Sequence, residues 1–159
     1  MSDAKFKTMR HIETVRNYLN FCIRELLHRQ ESHDQSKLEL FEVETFEKYT
    51  PLLRGCTYGS EEYKQFLKEM QPALENHYRN NRHHPEHFEG GITEMNLLDL
   101  LEMICDWQSS TMRHHDGDIY KSIEINQERF GYSNELKAIF RNTAAFLRAG
   151  QVFHKAGES

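Results

Sequence analysis

Apolar residues recur every three or four positions along nearly the whole chain, and this helical period restricts the possible folds more than any other feature. In residues 5–29 the period is carried by Met9, Ile12, Val15 and Leu19. No segment shows the strict alternation of apolar and polar residues that marks a half-buried strand. The sequence therefore predicts an all-α fold, a helical bundle of six or seven helices without a sheet.

The length of 159 residues suits one domain. We expect a single domain over residues 1–159, with a core from about residue 5 to 148 and a frayed tail over 149–159. Cap and turn signals divide the core into helices. The predicted helices cover residues 5–29, 37 to about 49 (capped by Ser36 and ended by Thr50-Pro51), a segment opened by Ser60, 73–79, 94 to about 113 (capped by Thr93), 119–130 and 134–148.

Composition excludes several classes of protein. The chain has 20 basic and 25 acidic residues and a formal net charge of −5, without a basic run, which argues against a nucleic-acid surface. No apolar run approaches the ~20 residues of a membrane span, so we expect no membrane insertion. The cysteines Cys22, Cys56 and Cys105 contain no Cys-x-x-Cys pair. This pattern favours a reducing compartment, and we expect a cytoplasmic protein.

Metal-capable side chains begin with the adjacent pair His33-Asp34, which Lys37 follows three residues after the aspartate. An imidazole beside a carboxylate can bind one divalent cation, and the carboxylate can bridge to a second. The sequence thus predicts one or two ions, with Mn, Fe, Co, Ni, Zn and Mg all open. The expected ligands are His11, His33, Asp34 and Asp106 for one cation, and Asp34, His77 and either His83 or His84 for the other.

Ordinary structural roles compete with several of these assignments. His11 lies at the edge of the apolar stripe of its helix, where a histidine is commonly held by one hydrogen bond. Asp106 lies in the most apolar helix, where a buried carboxylate needs a cation or donors. Its alternative is a solvent-facing strip shared with Asp99 and Glu102. For Lys37 the alternative is a solvated lysine in the first turn of a helix.

Three segments carry a resemblance to a known superfamily: His33-Asp34-Gln35-Ser36-Lys37, residues 81–87 (Asn-Arg-His-His-Pro-Glu-His) and residues 99–107, which include Asp106. With a helical histidine 22 residues before His33, this order resembles the HD-domain superfamily of metal-dependent phosphohydrolases. More narrowly, residues 8–147 resemble a family of uncharacterised bacterial and phage proteins of unknown function. The superfamily resemblance implies an all-helical fold, divalent metal and hydrolysis of phosphoesters or nucleotides. It also implies the ligand set given above.

We therefore expect a metal-dependent phosphohydrolase that acts through a metal-bound hydroxide on a nucleotide or another small phosphorylated molecule. Asp34 and Lys37 are the expected catalytic residues. A guanidinium recognises phosphate in a bidentate manner, so Arg82 and Arg113 are candidate substrate contacts together with Lys37 and His114. Two alternatives stay open: an HD-fold di-iron oxygenase, and a binding or regulatory protein in which the metal only braces the fold.

Overall fold

The computed structural model describes residues 3–57, 60–112 and 117–156, with the side chains of 151–156 left out. The chain divides into two compact units, Met1–His33 and Asp34–Ser159. The described residues contain seven α-helices and three short 3-10 helices but no strand, so the predicted all-α class is confirmed. The α-helices are α1 (Asp3–Ser32), α2 (Leu40–Gly55), α3 (Glu61–Glu69), α4 (Gln71–Asn80), α5 (Leu97–Thr111), α6 (Ile119–Phe130) and α7 (Asn134–Ala156).

The first unit is the single long helix α1. None of its described residues is buried, and the apolar stripe that predicted it, from Met9 and Ile12 to Leu19, is exposed. His11 is exposed on the same helix. Among the described residues, no helix combines the length and the apolar character that crossing a membrane requires.

The second unit has its hydrophobic core where α5, α6 and α7 meet. Met103 and Ile104 of α5 pack with Ile123 of α6 and Phe140 of α7, and each is at most 2% exposed. Trp107 lies against this core and stacks on Phe130. These apolar residues recur at the helical period, so they lie on one side of each helix. The core forms where the apolar sides of the three helices face one another.

Two predicted helix boundaries around residues 36–55 are wrong. Ser36 does not cap a helix at residue 37: it lies inside a 3-10 helix, Gln35–Leu38, and α2 begins only at Leu40. The Ser36 hydroxyl instead bonds the buried Glu42. At the other end, Pro51 lies within α2, which continues to Gly55. Proline at this position removes one helical hydrogen bond and crowds the preceding turn, which weakens α2 there without ending it.

The start of α5 and the end of α7 also differ from prediction. Thr93 belongs to a 3-10 helix, Gly91–Glu94, and the N-cap of α5 is Asn96, which forms a capping box with Asp99. Helix α7 runs to Ala156, so the predicted frayed tail is helical over most of its length. Gly150 lies inside α7 without the left-handed φ that ends helices at glycine, and the chain therefore passes through it.

Candidate metal centre

Asp34 has an unusual backbone conformation. Its φ is 57° and its ψ is 12°, in the left-handed region, and among the described residues it is the sole non-glycine with a positive φ. Aspartate tolerates this region better than most residues, but the conformation still costs free energy, and such residues cluster at functional sites. Asp34 immediately precedes the 3-10 helix Gln35–Leu38, and its carboxylate is partly buried.

Three imidazoles face the Asp34 carboxylate. His77 lies on α4, and His83 and His84 lie in the turn that follows it. The Nε2 atoms of His77 and His84 are 3.0 Å apart. Asp34 Oδ1 is 3.3 Å from Nε2 of His77 and 3.5 Å from Nε2 of His83. His77 and His83 are 2% and 1% exposed, so these two imidazoles are buried.

These separations match the spacing of ligands around one transition-metal ion. Metal–ligand bonds of about 2.0–2.2 Å place neighbouring ligand atoms roughly 3.0–3.5 Å apart in octahedral or tetrahedral geometry. One atom from each of Asp34, His77, His83 and His84 lies within 4.8 Å of all the others. The donor set of three imidazoles and one carboxylate therefore fits a divalent cation, and both His83 and His84 are placed to contribute.

His84 is held in the form that a metal requires. Burial lowers its pKa to about 2, and the neighbouring His83 and His77 act in the same direction. A neutral imidazole presents a lone pair to a cation without first losing a proton.

A second group of acidic residues borders the cluster from α5. Glu102 Oε1 is 3.2 Å from Nδ1 of His83. Asp106, one turn further along α5 and partly buried, has a carboxylate oxygen within 4.8 Å of one on Asp34. Two carboxylates at this distance repel each other, and a shared cation would remove that repulsion. The predicted closeness of Asp34 and Asp106 is thus present in the structure.

Lys37 contacts the opposite oxygen of Asp34. Its Nζ is 2.6 Å from Asp34 Oδ2, while Oδ1 faces the imidazoles. The ammonium also lies 5.3 Å from the centre of the Phe46 ring. Lys37 is therefore neither a freely solvated lysine nor part of the first turn of an α-helix. It is a cation fixed next to the histidine cluster by one carboxylate.

The remaining predicted site residues divide into three groups. His11 and His33 lie in the first unit, and their share in a cation site stays a prediction. The Arg82 guanidinium lies 3.3 Å from the buried Asp99 and 4.9 Å from the centre of the Phe88 ring. These contacts do not test its role as a phosphate contact, which stays a prediction. Arg113 and His114 lie outside the described residues.

Further polar residues complete the surroundings of the cluster, and they are not among the site residues predicted from the sequence. Glu42 is 0% exposed, accepts hydrogen bonds from Ser36 and Asn76, and lies 3.3 Å from Nδ1 of His77. Asn81 donates to Ser36 and to the His77 carbonyl, and Glu102 contacts His83. A glutamate in a predicted helix carries no sign of burial in the sequence. The spacing of four between Glu102 and Asp106 was the one available signal, because it places both on one helix face.

One family model, described as a family of unknown function (DUF5662), matches residues 1–150. No curated protein and no solved structure matches the chain.

Proposed function

We propose that this chain, which belongs to the family of unknown function DUF5662, is a metal-dependent phosphohydrolase that acts on a nucleotide or another small phosphorylated molecule. The observation that carries the proposal is the convergence of three histidines on the Asp34 carboxylate, with Lys37 on its far oxygen. Kinship with the HD-domain superfamily is part of the same proposal and rests on the three motifs.

The residues that would hold the cation are Asp34, His77, His83 and His84. Imidazole-rich sets favour zinc, iron, cobalt or nickel, whereas magnesium, calcium and manganese are better matched to oxygen ligands. When bound, such a cation polarises a phosphoryl oxygen and acidifies a water molecule. The contact with Lys37 at 2.6 Å orients the Asp34 carboxylate, and burial limits the access of water to the imidazoles of His77 and His83.

Lys37 is the group of this chain that suits the phosphate. An ammonium has three donors, and one of them is used by Asp34 Oδ2 at 2.6 Å. The other two have the right chemistry for phosphate oxygens within reach of the cation. A charge held in place before the reaction stabilises negative charge as it develops on the phosphoryl oxygens. Asp34 thus links the cation position to the phosphate position through its two oxygens.

The deciding experiment is metal analysis of the purified protein, followed by a steady-state assay across nucleotides and sugar phosphates with manganese, cobalt, nickel, iron or magnesium. We expect bound transition metal and metal-dependent release of phosphate from at least one substrate. If no substrate releases phosphate while the metal-loaded protein consumes oxygen, the di-iron oxygenase takes its place. Bound metal with neither activity would favour a metal-braced binding protein.

A pair of histidine variants supplies the matched control. His84→Gln removes one candidate ligand, so metal content and turnover should both fall. His87→Gln changes a histidine three residues away whose Nδ1 lies 2.9 Å from the carbonyl oxygen of Tyr78, outside the cluster. Its metal content should match that of the wild type. Equal metal content in the two variants would contradict the proposed ligand set.

A further inference from the structure

Glu42 is a buried carboxylate that touches no cation in the described part of the chain yet lies directly behind one of the candidate ligands. It is 0% exposed, and its Oε1 accepts from Asn76 Nδ2 at 2.7 Å. Its Oε2 accepts from the Ser36 hydroxyl at 3.1 Å and lies 3.3 Å from Nδ1 of His77. Keeping a carboxylate in such a place is costly unless its donors are well arranged.

Counting hydrogens around His77 Nδ1 determines which ring nitrogen carries the proton. Asn81 Nδ2 has two hydrogens and three acceptors within reach: the His77 carbonyl at 2.8 Å, Ser36 Oγ at 2.9 Å and His77 Nδ1 at 3.1 Å. The two shorter contacts use both hydrogens. The Ser36 hydroxyl lies 3.1 Å from both Glu42 Oε2 and His77 Nδ1, and its single hydrogen goes to the charged carboxylate because that is the stronger acceptor. With the hydrogens placed on these acceptors, none is left for Nδ1, which lies 3.1 Å from Ser36 Oγ, 3.1 Å from Asn81 Nδ2 and 3.3 Å from Glu42 Oε2. Nδ1 must be the donor, which leaves Nε2 with a lone pair.

That lone pair points at the candidate metal position. His77 Nε2 lies 3.3 Å from Asp34 Oδ1. Both atoms are then acceptors and repel each other, and a cation bound to both would stabilise the arrangement. We infer that Glu42, with Ser36, is a positioning residue that fixes the Nδ1–H tautomer of His77 and so presents Nε2 to a divalent cation. The inference deepens the proposed function and depends on it only for the cation. The tautomer itself follows from hydrogen bonds within the protein.

Carboxylates that hold a ligating histidine in this way raise its basicity and fix its ring orientation, and removing one costs about 10- to 100-fold in metal affinity. Glutamine at position 42 keeps the size of the side chain but not its two acceptors. Its carbonyl oxygen is needed opposite Asn76, which turns its amide nitrogen toward Ser36 and His77. An amide donor at Nδ1 favours the opposite tautomer, in which Nε2 carries the proton and cannot bind metal.

The first test is made on metal-free protein by long-range proton–nitrogen NMR, which reports the protonated nitrogen of each imidazole. The signals of His77 are assigned by their loss in His77→Gln. We expect a proton on Nδ1 and none on Nε2 in the wild type. A proton on Nε2 of wild-type His77 overturns the inference, whether or not the protein later proves to hydrolyse phosphates.

The second test measures affinity for Zn²⁺ by competition with a chromophoric chelator. Glu42→Gln should bind zinc about 10- to 100-fold more weakly. Glu69→Gln is the matched control, because Glu69 also accepts from a buried side chain, Tyr49, but on α3 and away from the cluster. Its affinity should equal that of the wild type. Unchanged zinc affinity in folded Glu42→Gln overturns the inference. A wild type that binds neither zinc nor another transition metal overturns the proposed function and leaves the tautomer result standing.

Ser36→Ala provides a second test of the His77 tautomer in case Glu42→Gln does not fold. It removes the hydroxyl but leaves the Glu42 carboxylate 3.3 Å from Nδ1, so His77 should keep its proton there. A switch of the His77 proton to Nε2 in this variant would show that the carboxylate does not set the tautomer.

Discussion

Asp34 holds a left-handed backbone and also supplies the carboxylate on which the imidazoles converge, and one substitution separates these two properties. Asparagine tolerates the left-handed region about as well as aspartate but has no negative charge. Asp34→Asn should therefore keep the helical content and lose both bound metal and phosphate release. Circular dichroism, metal analysis and the phosphate assay check the three expectations.

Alanine at the same position provides the comparison. Asp34→Ala also loses the charge, but a residue without a local polar side chain is more strained at a φ of 57°. It should be less stable than Asp34→Asn by about 1 kcal/mol, measured by urea unfolding. If Asp34→Asn retains the metal content of the wild type, Asp34 is not a ligand, and its backbone conformation needs another explanation.

Lys37 is expected to act on substrate rather than on metal. Lys37→Gln keeps a donor that can reach Asp34 Oδ2 but removes the charge that suits a phosphate. Metal content should stay at the wild-type level, while KM for the phosphorylated substrate rises more than kcat falls. Loss of metal in this variant would assign Lys37 to the support of Asp34 and remove it from the substrate site.

At the scale of single elements, α5 carries Glu102 and Asp106, and a capping box closes its first turn. The Asn96 side chain accepts from the backbone of Leu98 and Asp99, and the Asp99 side chain accepts from the backbone of Asn96. Asn96→Ala should cost about 1 kcal/mol of unfolding free energy. Thr93→Ala should cost much less, because the exposed Thr93 hydroxyl only donates to Gly90 O. Equal losses of unfolding free energy, measured by chemical denaturation, would contradict this account.

The same element shows which part of the fold the sequence predicts well. The period of Leu100, Met103, Ile104 and Trp107 predicts the helix because burial of these side chains stabilises it. Its start is predicted wrongly because Thr93 and Asn96 are both good caps, and only the turn before α5 selects between them. Boundaries depend on such single hydrogen bonds, whereas the existence of a helix depends on many side chains.

The candidate site also contains some residues that the sequence predicts and others that it does not. Asp34, His77, His83, His84 and Lys37 are predictable because their residue types carry metal and phosphate chemistry. Glu42 and Asn81 are not, because their roles come from hydrogen bonds between residues far apart in sequence: 34 positions separate Glu42 from Asn76, and 45 separate Asn81 from Ser36. The left-handed conformation of Asp34 is likewise set by the junction that it occupies, and no sequence signal marks it.

At the scale of the whole second unit, stability should fall in alkali because of Tyr132. This phenol is buried in the core and donates to Ile123 O, and burial raises its pKa, with a smaller contribution from Glu124. Above pH ~10 the unfolded chain loses this proton while the folded chain keeps it. The unfolded state then binds fewer protons, so unfolding free energy falls with rising pH by at most about 1.4 kcal/mol per unit.

Tyr132→Phe tests this linkage against an exposed tyrosine. The variant should lose about 1 kcal/mol at neutral pH with the hydrogen bond, yet its unfolding free energy should fall less steeply between pH ~10 and ~12. Tyr18→Phe removes a phenol that is 70% exposed on α1 and should leave the slope unchanged. Urea unfolding at a series of pH values gives the slopes. If Tyr132→Phe and the wild type lose stability equally in alkali, the phenol ionises as easily in the folded state as in the unfolded state, and other groups cause the loss.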